Sequence, residues 1–343
     1  MVFPLRLSVS IARHMALNEI RGQRRFPLVL MLEPTFRCNL TCAGCGRIRE
    51  ERAIADRILS PDECLAAVEE AGAPVVSVSG GEPLLHPQIG EIVRRIVGRK
   101  RFVYLCSNGI ILQESLHRIE PSPYLSFVLH LDGLAETHDR IVGRKGVFDL
   151  AIAGIKAAKQ AGFQVRTNTT FYKGVSSSEL GELFSLLTGL GVDGMMVAPA
   201  FGYRSVDSDI FLTPQEAAKV FEPVYEQRHR FRFYHTSTYI EFLAGKRRLN
   251  CTPWSTPTRN PRGWKMPCYL ITDGYCDSFQ ELLSKTRWEK YGVGNDPRCA
   301  NCMVHSGFEA SAIEAMLKGL IGRWRTGAVG FFANRKKVGG QKC

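Results

Sequence analysis

Long hydrophobic runs are missing from this sequence. Nowhere do about 18 apolar residues stand in a row, so no segment is expected to cross a bilayer as a helix. The N-terminal stretch does not read as a secretory leader either. The opening MVFPLRLSVSIARHMALNEIRGQRRF carries Arg6 and Arg13 inside its apolar stretch and offers no small-residue cleavage site. A cytoplasmic location is therefore expected, where a disulfide framework has no place, and the eleven cysteines call for another use such as metal ligation. Acidic residues are few beside basic ones, 33 against 45, and the net charge of +12 points to an acidic partner: nucleic acid, anionic lipid or a phosphorylated ligand. From Glu314 onward seven Lys/Arg meet one acid, half of that excess.

What is present is a β–α alternation. PLVLMLEP (27–34), PVVSVSGGEP (74–83), FVYLCSNG (102–109), YLSFVLHLDG (124–133), FQVRTNTTF (163–171) and GMMVAPA (194–200) read as strands, most of them ending in a polar or glycine turn. Helices open at Ser60-Pro61-Asp62-Glu63 and Thr213-Pro214-Gln215-Glu216, both capping boxes with proline at the first helical position, and another spans 147–162 with Gly162 just past its end. Six such units predict an α/β fold with a mostly parallel sheet, its chemistry beyond the C-terminal strand ends. The pattern breaks after about residue 245, where TPWSTPTRNPRGWKMP packs four prolines and two tryptophans without a period. The expected division is an N-terminal amphipathic segment (1–26), a core domain (27–245), a loop-rich cysteine module (246–312) and a basic amphipathic tail (313–343).

CNLTCAGC sets Cys38, Cys42 and Cys45 on a loop leaving the first strand. A disulfide would use two of them and a structural zinc would want four. Three thiolates leave one iron of a [4Fe–4S] cube open for a small molecule, as an open position does at a catalytic metal. Cys106, in the third strand, reaches the same mouth either as a small packing residue or as a neutral thiol that gives a hydrogen atom to a carbon radical.

At these residues the sequence resembles the radical S-adenosylmethionine (SAM) superfamily, over about residues 28–200. The resemblance implies a partial (β/α)6 barrel, a [4Fe–4S] cluster on Cys38, Cys42 and Cys45, and SAM on the open iron. It assigns Gly80, Gly81, Glu82 and Pro83 to the methionine end of SAM, Asp132 and Asn168 to its ribose or carboxylate and Ala198-Pro199 to the adenine, with Asn108 at the end of the third strand as a further SAM-binding residue. An aromatic residue often precedes the last cysteine in the superfamily; Gly44 stands there. CTPWSTPTRNPRGWKMPCYLITDGY and CANCMVHSGFEA further resemble the adenosylhopane synthases of bacterial hopanoid biosynthesis, in which Ser306 would be a cysteine.

That narrower resemblance implies that SAM is consumed: its 5′-deoxyadenosyl radical adds to the alkene of diploptene, giving adenosylhopane once a hydrogen atom quenches the adduct. The alternative is a radical SAM enzyme that modifies a peptide. Either needs an external one-electron reductant such as flavodoxin or ferredoxin. Cys251, Cys268, Cys299 and Cys302 form a possible second metal site. The tail interleaves Leu317, Leu320, Ile321, Trp324, Phe331 and Phe332 with basic residues, and the N-terminal stretch sets Leu7, Ile11 and Met15 beside Arg6 and Arg13. Both suit peripheral binding to the inner face of the cytoplasmic membrane, and no nucleic-acid module is recognisable.

Overall fold

The computed structural model describes residues 3–206 and 209–316. A helix, α1 (Leu5–Ile20), precedes six strands: β1 (Val29–Thr35), β2 (Val75–Gly80), β3 (Phe102–Ser107), β4 (Leu125–His130), β5 (Gln164–Phe171) and β6 (Gly194–Pro199). Each pairs in parallel with the next. The connections carry α2 (Gly46–Glu51), α3 (Pro61–Ala71), α4 (Ile89–Gly98), α5 (Leu112–Ser115), α6 (Ala135–Val142), α7 (Val147–Gln160) and α8 (Ser177–Gly189). Parallel strands covered on both faces lose the hydrophobic alternation, and β2 and β4 are buried at every position but the last. This is the partial (β/α)6 barrel expected.

Local signals act where the sequence put them. Ser60 Oγ accepts from the Glu63 N–H while the Glu63 carboxylate accepts from the Ser60 N–H at 2.7 Å. Thr213 and Glu216 repeat the box at the start of α9 (Pro214–Glu226). Each cap is worth about 1 kcal/mol. Gly162, at φ 83°, turns the chain out of α7 and into β5.

After α10 (Ser237–Leu243) the chain rejoins the same sheet. β7 (Thr258–Asn260) lies parallel to β1, and β8 (Gly263–Pro267) and β9 (Thr272–Cys276) follow antiparallel. The nine strands run β6-β5-β4-β3-β2-β1-β7-β8-β9. The last three hold only 3, 5 and 5 residues, too short to show a period. Trp264 of β8 is fully buried, gives its indole N–H to Glu70 of α3 at 3.0 Å and packs on Phe279 of α11 (Phe279–Lys285). The cysteine-bearing extension thus shares the main core.

The N-terminal segment corrects an expectation. Leu7 is buried against Val75, Phe102 and Tyr234, at the N-terminal ends of β2 and β3, with Ile11 packed beside them. α1 therefore closes the end of the barrel opposite the mouth, and the face expected to meet a bilayer points inward. Its outward face is apolar as well: Leu5, Val9 and Ile20 are 80%, 57% and 82% exposed. No helix among the described residues is long and apolar enough to cross a membrane. The expected membrane contacts of the tail, Leu317 to Phe332, lie outside the described residues.

Candidate functional site

The strand-end turns do converge. Cys38, Cys42 and Cys45, Gly80 to Glu82, Cys106, Asn108, Asn168, Ala198 and Pro199 all line one cavity of about 320 Å³ at the C-terminal ends of the strands. The backbone is pressed close there. A Cβ on Gly81 would lie 2.0 Å from the Arg37 carbonyl and one on Gly80 2.4 Å from that of Thr35, so only glycine lets the second loop lie against the cysteine loop. Burial raises the thiol pKa of Cys42 and lifts that of Cys38 to about 11. Without a cation these groups stay protonated, and a metal that takes their place releases those protons.

Glu82 lines the cavity with its carboxylate held by the backbone. Its carboxylate is buried and accepts from the Leu84 N–H at 3.0 Å and the Asn108 N–H at 2.8 Å, which ties the second turn to the third. Burial outweighs these bonds and raises its pKa to about 7. Pro83 is buried in the turn behind the cavity wall. Asp132 is fully buried: one oxygen caps the Thr170 N–H at 2.7 Å, the other meets His130 Nε2 at 2.6 Å. His130, not Asp132, lines the cavity. Burial works against charge on that imidazole, but the Asp132 carboxylate prevails and its pKa is raised. Asn108 gives its amide to Asn39 Oδ1 at 2.7 Å and holds the cysteine loop. Asn168 Oδ1 is buried without a protein partner and faces the cavity, an acceptor free for a ligand hydroxyl or amine.

Aromatic rings fill the room that two glycines leave. A Cβ on Gly44 would lie 2.5 Å from Tyr172 Oη, and one on Gly46 would meet the Tyr203 ring. Tyr172 enters from the end of β5 and lines the cavity, as do Tyr104, Phe201, Tyr203 and Tyr269. The room a side chain at position 44 would take is thus occupied by the phenol end of Tyr172. Next to Cys45, Arg47 is buried and ion-paired with Glu33 of β1 at 2.9 Å, and its guanidinium holds the Tyr269 carbonyl at 2.6 Å. His130, Tyr172, Tyr203, Tyr269 and Arg47 escaped the sequence reading; only the two glycines hinted at the tyrosines.

Cys106 of β3 lies in the wall of the same cavity, its sulfur 3.5 Å from Ser77 Oγ. Burial holds its pKa near 11, so it is a neutral thiol at physiological pH. Phe201, Tyr203 and Leu270 also line a neighbouring cleft of about 740 Å³ with charged walls, among them Glu50, Glu51, Arg262, Asp273 and Arg298.

Residues 32–187 match the radical SAM superfamily. The chain carries a radical SAM domain. Such a domain works with a [4Fe–4S] cluster and SAM, and three thiols, a glycine-lined wall and an unpartnered acceptor fit both. Residues 195–326 match a domain of unknown function (DUF3463). An AdoMet-dependent heme synthase of Methanosarcina barkeri is 32% identical over 170 residues, 48% of this chain and 48% of that protein. The subtilosin biosynthesis protein AlbA of Bacillus subtilis is 26% identical over 309 residues, 82% of this chain and 66% of its own length. The chain spans about half of the first relative and just under two thirds of the second. SuiB of Streptococcus suis, in its complex with S-adenosylmethionine, shares the fold at a TM-score of 0.64 and 18% identity, over 84% of this chain and 70% of that one. None of these three is a hopanoid enzyme by name. The comparisons support the superfamily and not the narrower resemblance.

Proposed function

We propose that this radical SAM enzyme adds the 5′-deoxyadenosyl group to an alkene of a large apolar substrate, diploptene being the substrate that the sequence resemblance implies. The observation that carries the reading is the neutral thiol of Cys106 in the wall that also holds Cys38, Cys42 and Cys45. The cluster and SAM, when bound, supply the 5′-deoxyadenosyl radical. Cys38, Cys42 and Cys45 hold the cluster, and the glycine turn at Gly80-Gly81 lets the methionine end of SAM come close. Asn168 accepts from SAM, and Tyr172 offers the adenine its ring. Glu82 and Asn108 fix the turns that shape this cradle. Addition joins C5′ to one alkene carbon and leaves the other a radical short of one hydrogen; Cys106 S–H would give that hydrogen atom and be left a thiyl radical. One electron from an external reductant such as flavodoxin or ferredoxin, with a proton, restores the thiol.

The outward face of α1 supports an insoluble substrate. Leu5, Val9, Ala12, Ala16 and Ile20 form one stripe at helical spacing, with Arg6 and Arg13 on its flank and Arg21, Arg24 and Arg25 at its end. We propose that it rests on an anionic bilayer at the inner face of the cytoplasmic membrane.

A second reading, peptide modification, is favoured by the charged cleft beside the cavity and by the likeness to AlbA and SuiB. The comparisons by themselves speak for it rather than for the lipid. Anaerobic incubation of the reconstituted protein with reductant, SAM and diploptene separates the two. A mass corresponding to the saturated adenosylated hydrocarbon is expected; free 5′-deoxyadenosine with unchanged diploptene overturns the lipid reading.

A further inference from the structure

The surface over the cysteine loop carries mostly one sign of charge. α6 ends against that loop. The Ala43 N–H donates to the Ile141 carbonyl at 2.8 Å, and a Cβ on Gly143 would lie 3.7 Å from the Thr41 carbonyl. Val142 and Val147 pack with Leu40, and Cys38 and Cys42 lie against them. Along the outside of this seam Arg49, Arg140, Arg144 and Lys145 are all exposed. Among the described residues none of the four is in an ion pair, whereas Arg37 is matched by Asp56. Two carboxylates stand on the same stretch. Glu136 lies in the first turn of α6, and both oxygens of Asp139 accept from the Gly146 and Phe148 N–H groups. An excess of positive charge remains.

Arg49 links this surface to the thiols. Its guanidinium donates to the Cys42 carbonyl at 3.3 Å and to the Cys45 carbonyl, while the residue itself stays exposed. Thr41, beside Cys42, is exposed as well. Two of the three thiols thus lie one side chain away from solvent. None of the four basic residues lines the cavity that takes SAM, so a protein resting on them leaves that cavity free. α1 closes the opposite end of the barrel, and a contact there leaves this face open too. Electron transfer falls off steeply with distance. A one-electron donor therefore serves best where the cluster ligands come nearest the surface.

We propose that Arg49, Arg140, Arg144 and Lys145 form the docking surface for an acidic one-electron carrier protein, a flavodoxin or a ferredoxin. Opposite charge steers the two proteins together and fixes their orientation, which gives fast, salt-sensitive association. Weak binding suits a carrier that has to leave after each electron. The carrier gives up one electron and the centre held by Cys38, Cys42 and Cys45 takes it; no bond is made or broken at this surface. An anionic bilayer or a nucleic acid would also answer to positive charge, but neither has a use for the contact of Arg49 with the cysteine loop. The proposal rests on the cluster and not on the identity of the substrate.

Charge reversal in the full, reconstituted chain tests this with Arg140→Glu/Arg144→Glu/Lys145→Glu; Arg49 stays because it touches the cysteine loop. SAM cleavage is driven by reduced flavodoxin or by dithionite, which is small and needs no docking surface. With flavodoxin the rate at low salt is expected to fall at least roughly tenfold, and with dithionite to stay within about twofold. Binding of oxidised flavodoxin, followed by its flavin fluorescence, gives a readout apart from activity. It should weaken at least roughly tenfold and lose most of its dependence on salt. The neutral Arg140→Gln/Arg144→Gln/Lys145→Gln variant should fall between the two proteins in both measurements. An unchanged flavodoxin-driven rate, or an equal loss with dithionite in both variants, overturns the proposal. So does flavodoxin binding that survives charge reversal while binding to phosphatidylglycerol vesicles is lost.

Discussion

Three thiols at the mouth and four behind it differ in number, in neighbours and in what can reach them. At the mouth the thiols face a cavity of about 320 Å³, among glycine-lined backbone and the unpartnered Asn168 oxygen. Behind it the sulfurs face one another across a small space walled by Phe201, Leu270, Ile271 and Phe308, with two backbone amides aimed at them. The front thiols stand beside room for a ligand, whereas the rear four, Cys251, Cys268, Cys299 and Cys302, line a space that is small and mostly apolar.

Removing a thiol at the front is expected to have the largest effect. Cys38→Ala should cut reductive SAM cleavage by at least roughly a thousandfold, measured as 5′-deoxyadenosine formed in anaerobic assays. Turnover near that of the unaltered chain would remove Cys38 from the ligand set. Cys106 tests whether a third kind of thiol, neutral and unligated, stands between the two groups. In Cys106→Ala the adduct should still form, while the saturated product falls at least roughly tenfold in favour of other fates of the carbon radical. An unchanged yield would return Cys106 to a packing role, beside Cys64 in the core of α3.

The six parallel strands and the front thiols could be read from sequence because each rests on neighbouring residues: a strand run, a turn, CNLTCAGC. What resisted reading depends on distant ones. β7 to β9 exist because β1 offers them an edge. Asp132 stays out of the cavity wall because Thr170 and His130 take its oxygens, and Glu82, which lines the cavity, has its own taken by the Leu84 and Asn108 amides. The four rear cysteines span some fifty positions, and only the fold brings them to one cavity. Tyr172 is the clearest case, since its relation to Gly44 crosses from β5 to the cysteine loop.

That relation sharpens the account of the open site. Base-on-ring stacking is worth about 1–3 kcal/mol, so Tyr172→Ala should weaken SAM binding roughly tenfold while Tyr172→Phe stays close to the unaltered chain. Gly44→Tyr alone should be harmful, because its side chain would strike the Tyr172 ring. Combined with Tyr172→Ala it should recover part of the lost affinity, the ring now coming from the loop. Equilibrium binding of SAM to the four proteins closes the cycle, and simple additivity would show that the two positions do not share one role.

The smallest effect is expected at the end of the barrel farthest from both thiol groups. α1 closes that end with Leu7 and turns Leu5, Val9 and Ile20 to the outside. Exposed leucine, valine and isoleucine on one stripe cost solubility unless something covers them, and the flanking arginines suit lipid phosphate. Changing Leu5, Val9 and Ile20 to serine should lower co-sedimentation with vesicles containing phosphatidylglycerol several-fold, and leave binding to neutral vesicles weak in both proteins. SAM cleavage without lipid should not change, because this face is remote from the cavity. If the unaltered chain ignores the vesicles and instead dimerises through α1, the stripe belongs to a second copy, and the lipid reading loses the support it draws from this helix.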